Sequence, residues 1–245
     1  MAEPGATPAT PEPSSRSSDY SPTVPAADVE RIRRWHEDAY RSRKALGEQV
    51  IEYLGRSFVV PPEVQPITPT SSLLGEAVLA EVRPDDRVLD MGTGSGVNAI
   101  LAAGTAREVV AVDINPHALA AARRNAERNG VADRIDVRHS DVFSAVDGRF
   151  DLIVFDPPFR WFAPRDLTER ATTDENYRAM TAFFRQARRH LTERGRMLVF
   201  FGTSGDLGYL ERLIAEEGFA KEVVARAELT KEGWRVEYLT FRLTP

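Results

Sequence analysis

In four places along this chain an expected strand is closed or followed by an acid: Asp90, Asp113, Asp141 and Asp156. The last opens the stretch Asp156-Pro157-Pro158-Phe159, which follows the run Phe150–Phe155. Prolines fix φ and carry no N–H, so this backbone offers carbonyl acceptors without matching donors. The Asp156 carboxylate and the Pro157 carbonyl can together hold an N–H₂ group so that its lone pair faces an electrophile. Phe159 can stack on a planar group. A site that orients a nitrogen for in-line attack gains most of its rate from that placement. Asp90 opens Asp90-Met91-Gly92-Thr93-Gly94-Ser95-Gly96. Glycines permit φ > 0 and let a ligand approach bare backbone. The helix that follows offers free N–H groups and the positive end of its dipole. A carboxylate at that point suits a ligand with a cationic amino group. Asp113 can accept two hydrogen bonds from a ribose diol, with Ile114 beside it to pack on a base. Asp141 can accept from an adenine amino group, and the Val142 backbone N–H can reach a ring nitrogen.

Such residues need strands to deliver them, and the hydrophobic pattern supplies these. Strands are expected at Arg87–Asp90, Glu108–Asp113, Ile135–Arg138, Phe150–Phe155 and Arg196–Gly202. Helices are expected at Gly96–Gly104, Pro116–Asn129, Asn176–Leu191 and Asp206–Glu217. A closing hairpin is expected from Glu222–Ala227 and Val236–Leu243. Strands alternating with helices predict an α/β fold: a mostly parallel, Rossmann-like sheet covered on both faces. Upstream, Asp28 reads as the cap of a helix over Val29–Ala45, followed by short strands at Gln49–Leu54 and Arg56–Val60. Residues 1–26 hold six of the 16 prolines and little apolar surface, so a disordered leader is expected there. The organisation read from the sequence is leader 1–26, helix and short strands 27–68, and main domain 69–245.

Composition narrows the chemistry. The 245 residues carry 32 Lys+Arg against 37 Asp+Glu and no Cys. A net charge of −5 argues against a general electrostatic grip on nucleic acid. Without Cys there is no disulfide framework and no thiolate metal site or nucleophile. His36, His117, His139 and His190 lack ligand spacing, so no metal is expected. No apolar run approaches the length of a membrane span, and a cytoplasmic location is expected. The cationic residues of Arg31–Lys44 share their helix with Glu30, Glu37 and Asp38, which reads first as an ion-paired face and second as a nucleic-acid or acidic-substrate arm.

Two cofactor classes fit the glycines. Gly94-Ser95-Gly96-Val97-Asn98-Ala99 meets the dinucleotide pattern G-x-G-x-x-A literally. The acid closing the strand at Asp90 and the Asp-Pro-Pro-Phe stretch favour the other class. Asp90–Gly96, Asp113, Asp141 and Asp156–Phe159, in that order, resemble the class I S-adenosylmethionine-dependent methyltransferases. More narrowly they resemble the amino-methyltransferases marked by (Asn/Asp/Ser)-Pro-Pro-(Tyr/Phe/Trp), which include release-factor glutamine N5, adenine-N6 and guanine-N2 enzymes. The resemblance covers roughly Thr68 to Leu243. The glycine loop is similar to that of the release-factor enzymes, which carry Asn-Pro-Pro-Tyr. Asp156 and Phe159 with a following Arg160 look more like the guanine-N2 ribosomal RNA enzymes.

The resemblance implies a seven-stranded sheet with its last strand antiparallel and S-adenosyl-L-methionine over the first two strand ends. Asp90, Gly92, Thr93, Gly94, Gly96, Asp113, Ile114, Asp141 and Val142 would hold the cofactor. Thr70 joins them, because Pro69–Ser72 resembles a segment that touches cofactor in the glutamine enzymes. Asp156, Pro157 and Phe159 would orient the acceptor. In the long connection Arg160–Tyr177, Trp161 and Phe162 are expected to meet it. The expected activity is N-methylation of an amino, guanidino or amide nitrogen in a small molecule or peptide. An RNA base is the alternative acceptor. From other classes, an NAD-dependent oxidoreductase and a non-catalytic cofactor-binding module stay open.

Overall fold

The computed structural model describes residues 20–231 and 233–245. Seven strands form the main sheet: β3 (Arg87–Met91), β4 (Glu108–Asp113), β5 (Ile135–His139), β6 (Phe150–Phe155), β7 (Leu191–Gly202), β8 (Ala220–Lys231) and β9 (Trp234–Thr244). Their order is β5-β4-β3-β6-β7-β9-β8. Neighbours are parallel except at β9, which runs antiparallel to both β7 and β8. This is the α/β, Rossmann-like seven-stranded sheet expected. The closing strands are longer than the sequence pattern implied. Beyond the reach of β7 they pair only with each other, and charged residues there interrupt the hydrophobic signal although Val236 is buried.

The central strands are apolar because both faces are covered. All six residues of β6 are buried, as are Val88, Leu89 and the run Val109–Val112. Helices α2 (Ser72–Glu81), α3 (Val97–Ala103), α4 (Pro116–Arg128), α5 (Arg178–Ala187) and α6 (Leu207–Glu216) pack on the sheet. Chain order reverses between β3 and β6: β4 and β5 continue to one side, β7 to β9 to the other. In such a sheet, ligands bind outside the carboxyl ends of the strands at this switch point. Met91 pairs in register with Phe155 there, which sets Asp90 and Asp156 at neighbouring strand ends.

The small N-terminal extension consists of α1 (Ala26–Lys44) and the antiparallel hairpin of β1 (Gln49–Tyr53) and β2 (Arg56–Val60). Leu54 and Gly55 turn the hairpin with φ of 46° and 75°, the sign pattern of a two-residue primed turn. Helix α1 begins two residues before Asp28. Asp28 sits in its first turn and pairs with Arg31 at 3.2 Å instead of capping it. Residues 1–19 of the expected leader lie outside the described residues. The rest of it, Tyr20–Pro25, is pinned. Asp206 accepts from Tyr20 Oη at 2.9 Å, from Thr23 N at 2.7 Å and from the Thr23 hydroxyl. One aromatic ring and one buried carboxylate suffice to fix a segment whose composition alone reads as disordered. Helix α5 starts at Arg178, later than expected, because Asn176 and Tyr177 are both left-handed, with φ of 51° and 50°.

At the opposite end of the sheet, Arg196 is buried between α2 and the loop before β3. It donates to Asp86 Oδ2 at 2.9 Å, to the Asp151 carbonyl at 2.9 Å and to Glu81 Oε2 at 3.3 Å. Asp86 is fully buried. Removing the guanidinium strands that carboxylate, and breaking such a pair costs about 3–5 kcal/mol. Arg196→Met is therefore expected to lower the urea unfolding midpoint by that equivalent without changing the slope. Retention of the midpoint would show that water reaches Asp86.

Candidate active site

The glycine loop leaves β3 through three left-handed residues, Gly92, Gly94 and Gly96, with φ of 69°, 55° and 87°. They serve two ends. At Gly96 an added Cβ would lie 3.0 Å from the Ala122 Cα, so this glycine lets α3 pack against α4. At Gly92 an added Cβ would meet nothing within 4 Å, and at Gly94 only a Val64 methyl at 4.0 Å. These two therefore border open space that side chains would fill, as a ligand cradle requires.

The acids around the loop bind it together. Asp90 is buried, and its Oδ2 accepts from Thr93 Oγ1 at 2.6 Å and from Ala99 N at 3.0 Å. Burial pushes its carboxyl up to about 6, against those two bonds. Asp113 accepts from Gly94 N at 2.9 Å through Oδ2 and from Asn115 N at 2.8 Å through Oδ1. A carboxylate has about four acceptor positions, so capacity for a diol remains on both oxygens. Burial raises this carboxyl as well, opposed by the backbone donors. Ile114 follows directly, half-buried. Asp141 pairs loosely with Arg178 at 3.6 Å. Val142 adopts φ of 51°, which is strained for a β-branched residue and characteristic of ligand-holding turns. Ser140 Oγ supports that turn by donating to the Val142 carbonyl at 2.7 Å. Thr70 lies in a short 3₁₀ turn, its hydroxyl 3.0 Å from that of Thr68.

Asp156 differs from the other acids. No donor pairs with its carboxylate among the described residues. The residue as a whole is exposed at the strand end, yet protein packs densely around its carboxylate. That desolvation, and then the charge of Asp90, push it up to about 7. Pro157 is buried beside it. The Phe159 ring, expected to face a ligand, is instead buried, 4.8 Å from Phe201 and 5.6 Å from Phe200 between ring centroids. Trp161, expected to meet the acceptor, is also buried, packed 6.1 Å from Tyr20 and 5.1 Å from Phe162. The Phe162 ring is capped by the Arg33 guanidinium at 4.1 Å. The hydrophobic effect claims these rings because the loop folds back under α1. Most cations of α1 are ion-paired, Arg34 with Glu30, Arg41 with Glu37 and Lys44 with Asp166, so this face is chiefly a solvated one.

Three residues that position the site carry no motif. Tyr177 Oη donates to the Phe159 carbonyl at 2.5 Å and accepts from Asp206 N at 2.8 Å. Gly205 makes room for that carbonyl, since a Cβ there would collide with it and with the Phe201 ring. Asn125, fully buried on α4, accepts from Val59 N at 2.8 Å. It donates to the carbonyls of Val59 at 2.9 Å and Ser95 at 2.8 Å, joining the hairpin to the glycine loop. All three act on backbone, so only three-dimensional placement reveals them.

An open sheet with a glycine cradle and acids at successive strand ends is the architecture of the class I methyltransferases. Comparison with known proteins agrees. The family model described as methyltransferase small domain matches residues 66–228, and the chain belongs to that family. S-adenosylmethionine is the cofactor of this class, and the open cradle with its unsaturated carboxylates fits it. A release factor glutamine methyltransferase of Cereibacter sphaeroides is 36% identical over 184 residues, covering 68% of this chain and 64% of that protein. A ribosomal protein L11 methyltransferase of Desulfitobacterium hafniense is 36% identical over 139 residues, covering 48% of this chain and 44% of that one. The chain thus spans between about two fifths and two thirds of these relatives' length. A solved L11 methylase from Lactobacillus delbrueckii subsp. bulgaricus shares the fold with a TM-score of 0.55 at 23% identity, over 79% of this chain and 97% of that one.

Tyr177 offers a direct check on the scaffold. Tyr177→Phe strands the Phe159 carbonyl and the Asp206 N–H in the interior, at a cost of about 1–3 kcal/mol. We expect an unfolding midpoint lowered accordingly, with binding of S-adenosylhomocysteine within threefold of the parent by titration calorimetry. Cofactor binding lost together with stability would show that the tyrosine supports the whole cleft.

Proposed function

We propose that this protein transfers the methyl group of S-adenosylmethionine to an amino, guanidino or amide nitrogen of a small molecule or peptide. One observation carries the reading: Asp156, at the end of β6 next to two prolines, has a carboxylate with no partner among the described residues. A bare acceptor at the switch point, set against carbonyls without N–H groups, is built to receive N–H donors. The bound cofactor supplies an electrophilic methyl on a positively charged sulfur. Asp156 and the Pro157 carbonyl hold the acceptor's N–H groups and aim its lone pair. As the N–C bond forms and the S–C bond breaks, nitrogen gains acidity, and its proton passes to Asp156 or to water. Being acceptor-only when ionised, Asp156 suits an amino or guanidino donor, while an amide must present its N–H₂ face. Asp90, Gly92–Gly96, Asp113, Ile114, Asp141 and Val142 hold the cofactor, with Thr70 at the edge. The relatives named for release factor and for ribosomal protein L11 support a peptide or protein acceptor. An RNA acceptor has no comparable support in this chain, where the α1 cations are mostly internally paired.

The cofactor class is tested by titrating the protein with S-adenosylhomocysteine beside NAD(H). Binding of the first alone is expected, and binding of NAD(H) alone would sink the reading. Asp156→Asn should lower kcat by about 10²-fold or more with S-adenosylhomocysteine affinity changed less than tenfold. Parental turnover in that variant would remove Asp156 from the chemistry.

The pH dependence has a definite sign. Asp156 titrates at about 7 and Asp90 at about 6 in the free protein, both raised by burial. The ionised forms receive N–H donors and cations, so kcat/KM should rise as pH increases through about 7. Binding a cationic ligand favours ionisation. Titrations at pH 6 in buffers of different ionisation enthalpy should therefore show proton release on S-adenosylmethionine binding. Proton uptake would contradict this account.

A further inference from the structure

Helix α1 turns a stripe of Ile32, His36, Tyr40 and Arg43 toward the domain. Arg43 is 7% exposed, in a position where an apolar residue normally stands. Its Nη1 donates to Gln65 Oε1 at 2.5 Å, and its Nε and Nη2 are buried without a hydrogen-bond partner. Arg160, directly after Phe159, likewise has a buried Nε without a partner. Its guanidinium lies 5.7 Å from the Trp35 and Phe159 ring centroids. Buried polar groups left unpaired are rare in folded proteins and ask for a missing ligand. Two guanidinium groups that both carry buried, unpartnered nitrogens ask more strongly.

The protein's own carboxylates do not answer. Asp166 is taken by Lys44 at 2.7 Å and Tyr40 at 2.7 Å. Glu169 is taken by His36 at 2.7 Å and by Arg165, whose Nη2 lies at 2.7 Å. Because a carboxylate only accepts, His36 Nε2 carries the proton in that contact. Burial lowers the affinity of this imidazole for a second proton, so it adds no charge of its own. Arg165 is also neutralised by Glu37, at 2.9 Å. The charges of Asp166 and Glu169 favour the Arg43 cation from a distance, yet no group among the described residues hydrogen-bonds its Nε or Nη2 or the Nε of Arg160. Burial, first, weakens the hold of both guanidinium groups on their protons, opposed by Asp166 and Glu169 at Arg43 and by Tyr238 and Tyr177 at Arg160.

Place and origin fit a role in acceptor choice. Phe159, under Arg160, packs on rings of β7 and β9, the half of the sheet on the far side of β6 from the glycine loop. Arg43 comes from the extension that precedes the family match at residue 66. We propose that Arg43 and Arg160 form the seat of an oxyanion, a carboxylate or a phosphate monoester, carried by the methyl acceptor at a point apart from the nitrogen presented to Asp156. This rests on the methyl-transfer reading above for the identity of the ligand, but the seat itself is measurable without turnover. Arginine suits it because its fork matches both oxyanions in bidentate geometry.

The thermal midpoint of the full chain is measured with sodium acetate and with inorganic phosphate, against sodium chloride at equal ionic strength. A saturable rise of roughly 3–6 °C at tenfold excess over Kd is expected from at least one of the two. Acetate acting alone marks a carboxylate, and phosphate acting alone a phosphate monoester. Arg43→Met and Arg160→Gln should each abolish the rise. If Arg43→Met does not fold, Arg160→Gln carries the test. No rise beyond chloride, or an undiminished rise in the folded variants, overturns the seat. A further arm compares S-adenosylhomocysteine with 5′-methylthioadenosine, which lacks the carboxylate. If Arg160→Gln weakens only the former by tenfold or more, the seat belongs to the cofactor and the proposal falls. Equal affinities in parent and variant support it. Failure of the methyl-transfer reading would show separately, as no S-adenosylhomocysteine binding with the anion effect intact.

Discussion

The Tyr177 hydroxyl joins two loops that nothing in the sheet hydrogen bonding connects. One is the main chain of Phe159 after β6, and the other is the turn of Asp206 after β7. Both loops carry irregular backbone out of a buried sheet, and buried polar backbone must find partners. Tyr177 supplies them from a left-handed position, so its backbone strain is offset by satisfying two groups at once. Asp206 extends the same junction to Tyr20, Thr23 and the first turn of α6. The Tyr20 ring closes over Tyr177 and Tyr209 at centroid distances of 5.1 and 4.8 Å. The bare carboxylate of Asp156 can stay unpaired because the chain beside it is held by these contacts, not by its own side chain.

Charge is treated differently on the two halves of the cleft. On the β3–β6 side, two acids oppose each other at neighbouring strand ends, and their protonation rises toward neutrality. On the β7–β9 side, two arginines oppose each other under α1. Neither half is optimised for the free protein. Both arrangements are local departures from the charge pairing found over the rest of the fold.

The sheet and most of its helices were legible because buried parallel strands are continuous apolar runs and the glycines punctuate them. Asp90, Asp113 and Asp156 were legible for the same reason, since each closes or follows an apolar strand, whereas Asp141 follows a mixed strand and was found by its place in the series. Reading failed where long-range packing decided. Trp161 and Phe159 look like exposed ligand contacts from their motif neighbourhood, yet a loop folded under α1 buries both rings. Asn176 and Tyr177 fit a helical pattern, but left-handed backbone there is imposed by the contact with Asp206. Arg43 sits in a run of charges that resembles any solvated helix. Only its inward position distinguishes it from Arg41 and Lys44. The cap expected at Asp28 failed more simply, because Pro25 already starts the helix.

The contacts of Tyr20 and Thr23 with Asp206 span 186 and 183 residues of chain. During synthesis, the segment carrying Tyr20 and Thr23 therefore emerges long before its anchor at Asp206. Long-range closure of this kind is slow and entropically costly. The β3–β4–β5 half can pair while the remainder is still being made, whereas the β7–β9–β8 half lacks its middle strand until β9 arrives. A nascent chain would thus pass through a stage in which one half of the cleft is formed and the other is absent. The fastening at Asp206 then joins two segments of the enzyme made far apart in time.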